Sequence, residues 1–314
     1  WPIKKIKRNL IPNDIDKNGE VLLMRKNDPA GAFKISSSND QLLTQRGAFE
    51  VNSKKTNFYR LYREGDIENY DGFTEIFNSN SGFDYNRQFP SSYRPEGQQM
   101  GAGPYPGSEP EIQNLMKAVI NYPRAFAHIS LHTYGGLILR PPVAKPEENY
   151  HLVDISISKL LSEEAAKVSG YTELATNKDF KYYSRDSETG SEDDWTFDQR
   201  GLYSMTIEIW DVWKKAGLTV KDHVSRYFKP TEEQLNQIYN WAKKNLKFEE
   251  FYQKWEPHKH SQLGDVEIGG WKTNYLFRNP PVKYLKEETE KVKSVILQAA
   301  KLTPELHILN SQVS

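Results

Sequence analysis

The stretch AHISLHTYGGLILRPP, from Ala127 to Pro142, decides the fold of this chain. Residues 126–131 alternate in polarity and are rich in apolar and β-branched types, which predicts a strand. A second apolar run, 137–140, follows the Tyr-Gly-Gly turn. His132 falls where the first strand should end, and open α/β sheets bind their ligands at this end of their strands. A histidine in such a place is more often a core or edge residue, so the prediction of a site needs further residues.

Strands and helices alternate along the rest of the chain. Apolar periodicity predicts a second buried strand at 203–209 and several helices. Ser108 and Glu111 have the spacing of a capping box at the first helix. We therefore predict an α/β protein with a single-domain mixed β-sheet flanked by helices. The predicted helices cover residues 110–122, 154–168, 194–201, 231–245 and 285–302.

Two segments stand apart from this alternation. Residues 27–83 are polar and rich in Gly, Asn and Ser, with short β-like pieces, and we predict a loop and hairpin insertion there. Residues 212–314 are predicted to form a helical C-terminal extension, with an irregular segment between its helices that ends near Pro281. We assign the whole chain, 1–314, to one domain.

The composition excludes several classes of function. Lys plus Arg and Asp plus Glu number 42 each, so the net charge gives no indication of nucleic-acid binding. The chain has no cysteine, which excludes disulfides, Cys-ligated zinc and thiol catalysis. No apolar run approaches the ~20 residues that span a bilayer. The 18 Tyr, 14 Phe and 7 Trp supply enough apolar area for an ordered globular protein.

Two acidic turns with glycine have the composition of calcium loops. Asp14–Glu20 places oxygen side chains at alternate positions before a glycine, but Arg25 stands where an EF-hand needs its glutamate. Asp66–Glu75 has a similar composition. An Asx or glycine turn and a calcium site are both open for these segments, and the turn is favoured.

Glu208 is the least expected residue of the predicted strand 203–209. A carboxylate inside an apolar strand is costly unless it is paired or bound to a metal. Structural carboxylates of this kind exist as partners of buried arginine. Together with His132 and the cations Arg25 and Arg87, however, Glu208 would suit metal-assisted hydrolysis of an anionic substrate.

Six stretches of the chain, in the same order, resemble the zinc metallocarboxypeptidases of the carboxypeptidase A/B type. Their order along residues 21–211 carries the resemblance more than any one of them. The remainder of the chain is similar to a bacterial branch of that family. The six stretches are LMRK (23–26), DYNRQF (84–89), GSEPE (107–111), SLHTYG (130–135), DWT (194–196) and TIEI (206–209).

The resemblance implies a role for five residues. Glu208 would be the catalytic base, and Arg25 would polarise the scissile carbonyl. Asn86 and Arg87 would hold the terminal carboxylate of a peptide, and His132 would be one ligand of a single zinc ion. The implied substrates are peptide or protein C-termini, without nucleic acid or a membrane span, and the implied location is secreted or periplasmic.

The chain departs from the family in its metal ligands. The family binds zinc through His-x-x-Glu and a distant histidine, but no histidine precedes His128 here. We expect either that the N-terminal part with the first strands is missing from this sequence or that the chain is a non-catalytic relative. In both cases we expect weak zinc binding or none, since catalytic sites normally use three protein ligands.

Two substrate-contacting positions are less clear. Asp193 stands where the family has the base of its specificity pocket, and a carboxylate there would favour a basic C-terminal residue. A solvated acidic loop over 188–194 is the favoured alternative. The tyrosine that covers the substrate in the family falls at Asp186, and the neighbouring Tyr182 and Tyr183 are out of register.

Three functions remain open. The first is a metallo-exopeptidase that releases C-terminal residues from peptides. The second is a peptide- or cell-wall-binding relative that keeps the carboxylate-binding residues without metal chemistry. The third is a structural α/β domain in which Glu208 and Arg25 form a buried pair. Neither the preferred terminal residue nor the oligomeric state can be predicted.

Overall fold

The computed structural model describes residues 10–51, 57–72, 82–182, 186–219, 222–228 and 230–303. These residues form an α/β structure. The strands are β1 (Leu10–Pro12), β2 (Leu23–Asn27), β3 (Phe33–Ile35), β4 (Leu43–Gln45), β5 (Phe58–Arg63), β6 (Gly65–Ile67), β7 (Ala127–Thr133), β8 (Leu137–Arg140), β9 (Thr172–Ala175), β10 (Tyr203–Ile209), β11 (Tyr252–His260) and β12 (Gly264–Trp271). The helices are α1 (Pro110–Ile120), α2 (Leu152–Ser169), α3 (Thr176–Asp179), α4 (Glu192–Asp194), α5 (Val212–Lys215), α6 (Ser225–Phe228), α7 (Glu232–Asn245), α8 (Phe248–Phe251) and α9 (Val282–Lys301).

The chain divides into two compact units. Unit 1 comprises Trp1–Ser81 and Asp211–Pro281, and unit 2 comprises Gly82–Trp210 and Val282–Ser314. Within the described residues, no helix is both long and apolar enough to cross a membrane.

The sheet of unit 2 is mixed and has the strand order β7-β10-β8-β9. β10 runs parallel to β7 and antiparallel to β8, and β8 runs parallel to β9. Side chains of β8, β10, α2 and α9 form its core, including Ile138, Leu161, Ile207 and Val295. Each such fully buried aliphatic side chain stabilises the fold by about 1.5–3 kcal/mol. This core fixes β7 and β10 side by side, which is the arrangement that positions the site.

The sheet of unit 1 is antiparallel, with the order β11-β12-β2-β5-β3-β4. Its core includes Met24, Tyr62 and Ile268, each nearly inaccessible to solvent. β1 and β6 form a separate two-stranded pair. Residues 27–63 therefore supply strands to a sheet that also receives β11 and β12 from the C-terminal part of the chain.

Two predictions about local structure were wrong. The segment expected to be irregular before Pro281 contains the hairpin of β11 and β12. The expected capping box does not form, because α1 begins at Pro110 and its N-cap is Glu109, which makes no side-chain cap bond. Ser108 instead donates a hydrogen bond of 3.0 Å to the Glu109 carboxylate. The predicted mixed α/β fold is confirmed: the described strands form the mixed sheet of unit 2 and the antiparallel sheets of unit 1, with helices beside them.

Candidate functional site

The parallel pairing of β7 with β10 brings the predicted histidine and glutamate together. In this register His132 lies opposite Glu208. His132 Nδ1 is 3.9 Å from Glu208 Oε1, and both side chains are largely buried. Because side chains alternate along a strand, Ser130 and His128 lie on the same face of β7 as His132.

The ends of these two strands are joined just beyond the site. The peptide bond between Thr133 and Tyr134 is cis, and Gly135 follows with φ of 151°. Gly135 donates a backbone hydrogen bond of 2.7 Å to the carbonyl of Trp210. Trp210 has φ of 73° and is fully buried, so the first residue after β10 is held in a conformation that is costly outside glycine. The link holds the carboxyl ends of β7 and β10 next to each other.

The acidic segment 188–194 is buried, so its interpretation as a solvated loop was wrong. Glu188, Glu192, Asp193 and Asp194 are each at most 8% exposed. The last three of these residues form the short helix α4, and Ser191 Oγ caps it by accepting a hydrogen bond of 3.2 Å from Asp194 N–H. Buried carboxylates need partners.

Asp193 finds those partners on the central strand. Its Oδ1 accepts a hydrogen bond of 3.0 Å from Ser204 Oγ, and its Oδ2 accepts one of 2.8 Å from Thr206 Oγ1. Burial raises the pKa of Asp193 to about 6. The residue predicted as the base of a specificity pocket is thus held firmly against β10.

Glu192 bridges two residues of β7. Its Oε1 lies 2.9 Å from His128 Nε2, and its Oε2 accepts a hydrogen bond of 2.8 Å from Ser130 Oγ. Burial acts to raise the pKa of Glu192, but the hydrogen bond and charge of His128 and the hydrogen bond of Ser130 outweigh it and keep that pKa below its usual range. Burial acts to lower the pKa of His128, but its contact with Glu192 and the charge of Glu192 outweigh this effect and raise it. Glu192 and His128 form an ion pair beside His132.

Asn86 and Arg87 lie on a one-turn 3₁₀ helix, Tyr85–Arg87. Asp84 caps this turn by accepting a hydrogen bond of 3.0 Å from Asn86 N–H. Asn86 Oδ1 accepts a hydrogen bond of 2.7 Å from Glu192 N–H, which ties the turn to α4. Arg87 Nη1 donates to the Asn86 carbonyl at 2.7 Å, and Arg87 Nη2 lies 3.8 Å from Asp84.

Burial and neighbouring charges act on the pKa values of His132 and Tyr182. Burial lowers the pKa of His132; the charges of Glu192 and Asp84 act to raise it, and the charge of Arg87 lowers it further. Burial, followed by the charge of Glu208, raises the pKa of Tyr182 to about 12, while Arg87 acts in the opposite direction. A cation, an imidazole, a carboxylate and a phenol are therefore within electrostatic reach of one another in unit 2.

Arg25 lies in unit 1, where its guanidinium has other neighbours. Nε donates a hydrogen bond of 2.8 Å to Glu267. The guanidinium carbon lies 4.9 Å from the centre of the Tyr59 ring and 4.6 Å from that of Trp255. The side chain is only 8% exposed. The role of Arg25 in carbonyl polarisation stays a prediction.

The residues around His132 do not complete a catalytic zinc site. Such a site normally uses three protein ligands. Among the described residues, no group of three ligating side chains within 4.8 Å of one another includes His132 or Glu208. His132 supplies one imidazole to a donor set that is incomplete in this part of the chain.

A carboxylate cluster in unit 1 does meet that distance criterion. Oxygen atoms of Asp14, Asp16 and Glu64 all lie within 4.8 Å of one another. Glu64 accepts backbone hydrogen bonds of 2.8 Å from Ile15 and 2.9 Å from Leu22, which closes the Asp14–Glu20 turn. The predicted turn is present, and these oxygens could hold a cation by their proximity. The other acidic segment, Asp66–Glu75, lies partly outside the described residues.

Sequence reasoning missed several neighbours of the predicted site. His128 and Ser130 alternate with His132 on β7, and this spacing of two could have assigned them to one face. Glu192 was assigned to an exposed loop. Tyr182 was judged out of register, yet the charge of Glu208 contributes to its raised pKa.

Solved structures give a limited likeness. The chain is 21% identical to thrombin activatable fibrinolysis inhibitor, with a TM-score of 0.36, over 60% of this chain and 52% of that one. It is 23% identical to the bovine inhibitor in its complex with tick carboxypeptidase inhibitor, with a TM-score of 0.36, over 55% of this chain and 61% of that one. The chain thus spans only about half to three fifths of these proteins. No curated protein matches it.

The family model of zinc carboxypeptidases matches residues 51–245. The match covers more than half of the chain and contains Asn86, Arg87, His132, Asp193 and Glu208. Arg25 precedes it. The chain therefore belongs to the zinc carboxypeptidase family.

Proposed function

We propose that this chain binds the C-terminal carboxylate of peptides and acts as a carboxypeptidase that releases the terminal residue. One observation carries the proposal: a chain of contacts joins the Asn86–Arg87 turn to His132 and Glu208. Asn86 Oδ1 accepts a hydrogen bond of 2.7 Å from Glu192 N–H, and Glu192 Oε2 accepts one from Ser130 Oγ, which lies 3.1 Å from His132 Nε2. His132 lies opposite Glu208 in the pairing of β7 with β10. We propose that a cation for the substrate carboxylate and a base for the attacking water thereby belong to one site.

The proposed binding step rests on Arg87 and Asn86. A guanidinium forms paired hydrogen bonds to a carboxylate, and these are stronger than bonds between neutral groups. Asn86 already accepts from Glu192 N–H, so its amide nitrogen is oriented away from α4. We propose that this amide and the Arg87 guanidinium hold the carboxylate of the terminal residue.

The proposed hydrolytic step rests on Glu208. Its carboxylate is about nine-tenths buried on β10 and faces the imidazole of His132. A carboxylate that faces an imidazole in a largely buried place is a suitable general base, if the substrate water lies within its hydrogen-bond reach. Zinc in this family would supply a Lewis acid, and His132 is the residue here that fits one of its ligands. Among the described residues, the donor set around His132 is incomplete.

We further propose that Asp193 favours a basic terminal residue. An ionised, firmly positioned carboxylate would attract Lys or Arg by charge. Peptides that end in Lys and in Phe, otherwise identical, test this preference. We expect tighter binding of the Lys peptide, and equal binding would remove the role of Asp193.

Binding of a fluorescently labelled pentapeptide with a free C-terminus, compared with its C-terminal amide, tests the main proposal. We expect the acid to bind at least about tenfold more tightly, and Arg87→Gln to abolish the difference. Arg124→Gln is the matched control, since Arg124 is an exposed arginine of the same unit. Equal affinity for acid and amide in the wild-type chain would overturn the proposal.

Release of the terminal residue, measured by mass spectrometry with and without added Zn²⁺, tests the catalytic part. We expect Glu208→Gln to abolish release while leaving the preference for the acid. Any release that persists in this variant would exclude Glu208 as the base.

A second function is favoured by the incomplete donor set around His132. In that case the chain is a peptide-binding relative without metal chemistry. Preference for the acid with no release at any zinc concentration would support this function over hydrolysis. Loss of the preference would exclude both.

A further inference from the structure

The hydroxyl of Ser130 lies between a carboxylate and the predicted metal-binding histidine. Ser130 Oγ is 2.8 Å from Glu192 Oε2 and 3.1 Å from His132 Nε2. Both distances are within the range of hydrogen bonds. Ser130 and His132 are two residues apart on β7, so the strand itself holds them on one face.

The hydroxyl has one proton to share between these two neighbours. An ionised carboxylate only accepts hydrogen bonds. Glu192 is ionised near neutrality, because His128 and Ser130 keep its pKa below the usual range in spite of burial. The Ser130 proton is therefore directed to Glu192, and Ser130 Oγ is left to accept from His132.

The opposite arrangement is disfavoured. If Ser130 donated to His132 Nε2, the carboxylate of Glu192 would face only the lone pairs of the hydroxyl. The proton on His132 would then be on Nδ1, which lies 3.9 Å from Glu208 Oε1. That distance is too long for a hydrogen bond.

We propose that Glu192 and Ser130 are positioning residues that fix His132 as the tautomer with its proton on Nε2. His132 Nδ1 then carries no proton, and its lone pair lies on the side of Glu208. His132 Nδ1 lies 3.9 Å from Glu208 Oε1. His128 completes the arrangement, because it holds the second oxygen of Glu192 at 2.9 Å.

The use of this lone pair in catalysis rests on the proposed function, whereas the tautomer does not. The two can fail separately. A chain that does not prefer peptide acids over amides can still have His132 with its proton on Nε2, and the reverse is also true.

Long-range ¹H–¹⁵N NMR of the histidine side chains tests the proposal on the chain without peptide or metal. The spectra are recorded at about pH 8, where imidazoles with ordinary pKa values are neutral. The His132 signals are identified by their loss in His132→Gln. We expect a protonated Nε2 and a bare Nδ1 in the wild-type chain.

Three variants sharpen this test. Ser130→Ala removes the acceptor, and we expect the two tautomers of His132 to mix. Glu192→Gln can donate to Ser130, which frees the hydroxyl proton for His132 Nε2, so the form protonated on Nδ1 should increase. Ser130→Thr keeps a hydroxyl and should restore the wild-type pattern.

Ser156→Ala is the matched control, because Ser156 Oγ bonds a helix carbonyl on the exposed side of α2. It should leave the His132 signals unchanged. Backbone ¹H–¹⁵N spectra establish that each variant is folded. A wild-type His132 protonated on Nδ1, or a Ser130→Ala variant that keeps the proton entirely on Nε2, would overturn the proposal.

Discussion

Asp194 Oδ1 accepts a hydrogen bond of 2.8 Å from the backbone N–H of Val143. Oδ2 accepts a second bond, of 2.9 Å, from Ala144. The carboxylate is fully buried and thereby joins the segment after β8 to α4. This contact positions the acidic segment whose side chains reach β7 and β10.

Asp194→Asn should destabilise unit 2 by about 2 kcal/mol. The amide nitrogen of asparagine cannot accept, so one of the two backbone N–H groups would lose its partner inside the protein. Urea unfolding at pH 7 measures the change. Asp198→Asn is the control, since Asp198 accepts from the hydroxyls of Ser91 and Tyr150, which can rotate, and it should change stability little. Equal losses in the two variants would contradict the argument.

Asp193 should make the protein less stable as the pH rises. Its pKa is raised from 3.8 to about 6, so the folded protein holds this proton more tightly than the unfolded chain does. Unfolding free energy therefore falls between about pH 4 and pH 6, by up to about 3 kcal/mol for a shift of roughly two pH units. Asp193→Asn removes this titration. The stability of the variant relative to wild type should rise across that interval, and a constant difference would contradict the prediction.

The His128–Glu192 pair should stabilise the protein over a limited pH range. The raised pKa of His128 gives stability that is full below 6.5 and is lost as the pH rises through the folded value. The lowered pKa of Glu192 gives stability that is full above 4.5 and is lost as the pH falls through its folded value. His128→Gln should therefore cost most, about 2 kcal/mol, between these two values. Chemical unfolding at a series of pH values checks this; a loss that does not vary with pH would exclude an ion pair.

Arg25→Lys should lower the stability of unit 1 by about 1 kcal/mol. Lysine keeps the positive charge, but it lacks the planar guanidinium group that stacks on the rings of Tyr59 and Trp255. Thermal unfolding measures this loss. If Arg25 also polarises the substrate carbonyl, release of the terminal residue per folded molecule would fall as well. Unchanged release would limit Arg25 to its structural contacts.

Gly190→Ala should weaken peptide binding. Gly190 has φ of 67°, and a Cβ there would lie 2.4 Å from the carbonyl oxygen of Arg87. The 3₁₀ turn that presents Arg87 would have to move. Gly201→Ala is the matched control, because Gly201 has φ of 65° with nothing within 4 Å of its Cβ position. Gly201→Ala should lose about 1 kcal/mol of stability, and Gly190→Ala should lose more because of this clash. We expect only Gly190→Ala to lose affinity for the peptide acid per folded molecule.

The elements around the site could be predicted because their patterns are long and regular. The predicted strands at 137–140 and 203–209 have the same bounds as β8 and β10. The hairpin of β11 and β12 was missed, because its polar residues and Pro257 obscure the alternation and its partner β2 is distant in sequence. Pairing between distant segments has no local signal.

The site was predicted only in part, for a related reason. His132 and Glu208 were found because each is unusual within its own strand. Glu192 was not, because an acidic run near glycine is normally solvated, and only its contacts with His128 and Ser130 explain why it is buried here. Arg25 was chosen because the short stretch around it resembles the family. That stretch could not reveal the aromatic rings of Tyr59 and Trp255, which come from distant parts of the chain.

The register of β7 on β10 makes the pairing of His132 with Glu208 sensitive to residues inserted in or deleted from these strands. A single inserted or deleted residue inside either strand would turn every side chain beyond it to the opposite face of the sheet. His132 would then no longer share a face with Glu208, however stable the altered sheet was. Insertions in the exposed turn at 121–125 leave that register alone. Descendants of this chain can therefore vary the length of such turns freely, whereas the two strands must keep theirs.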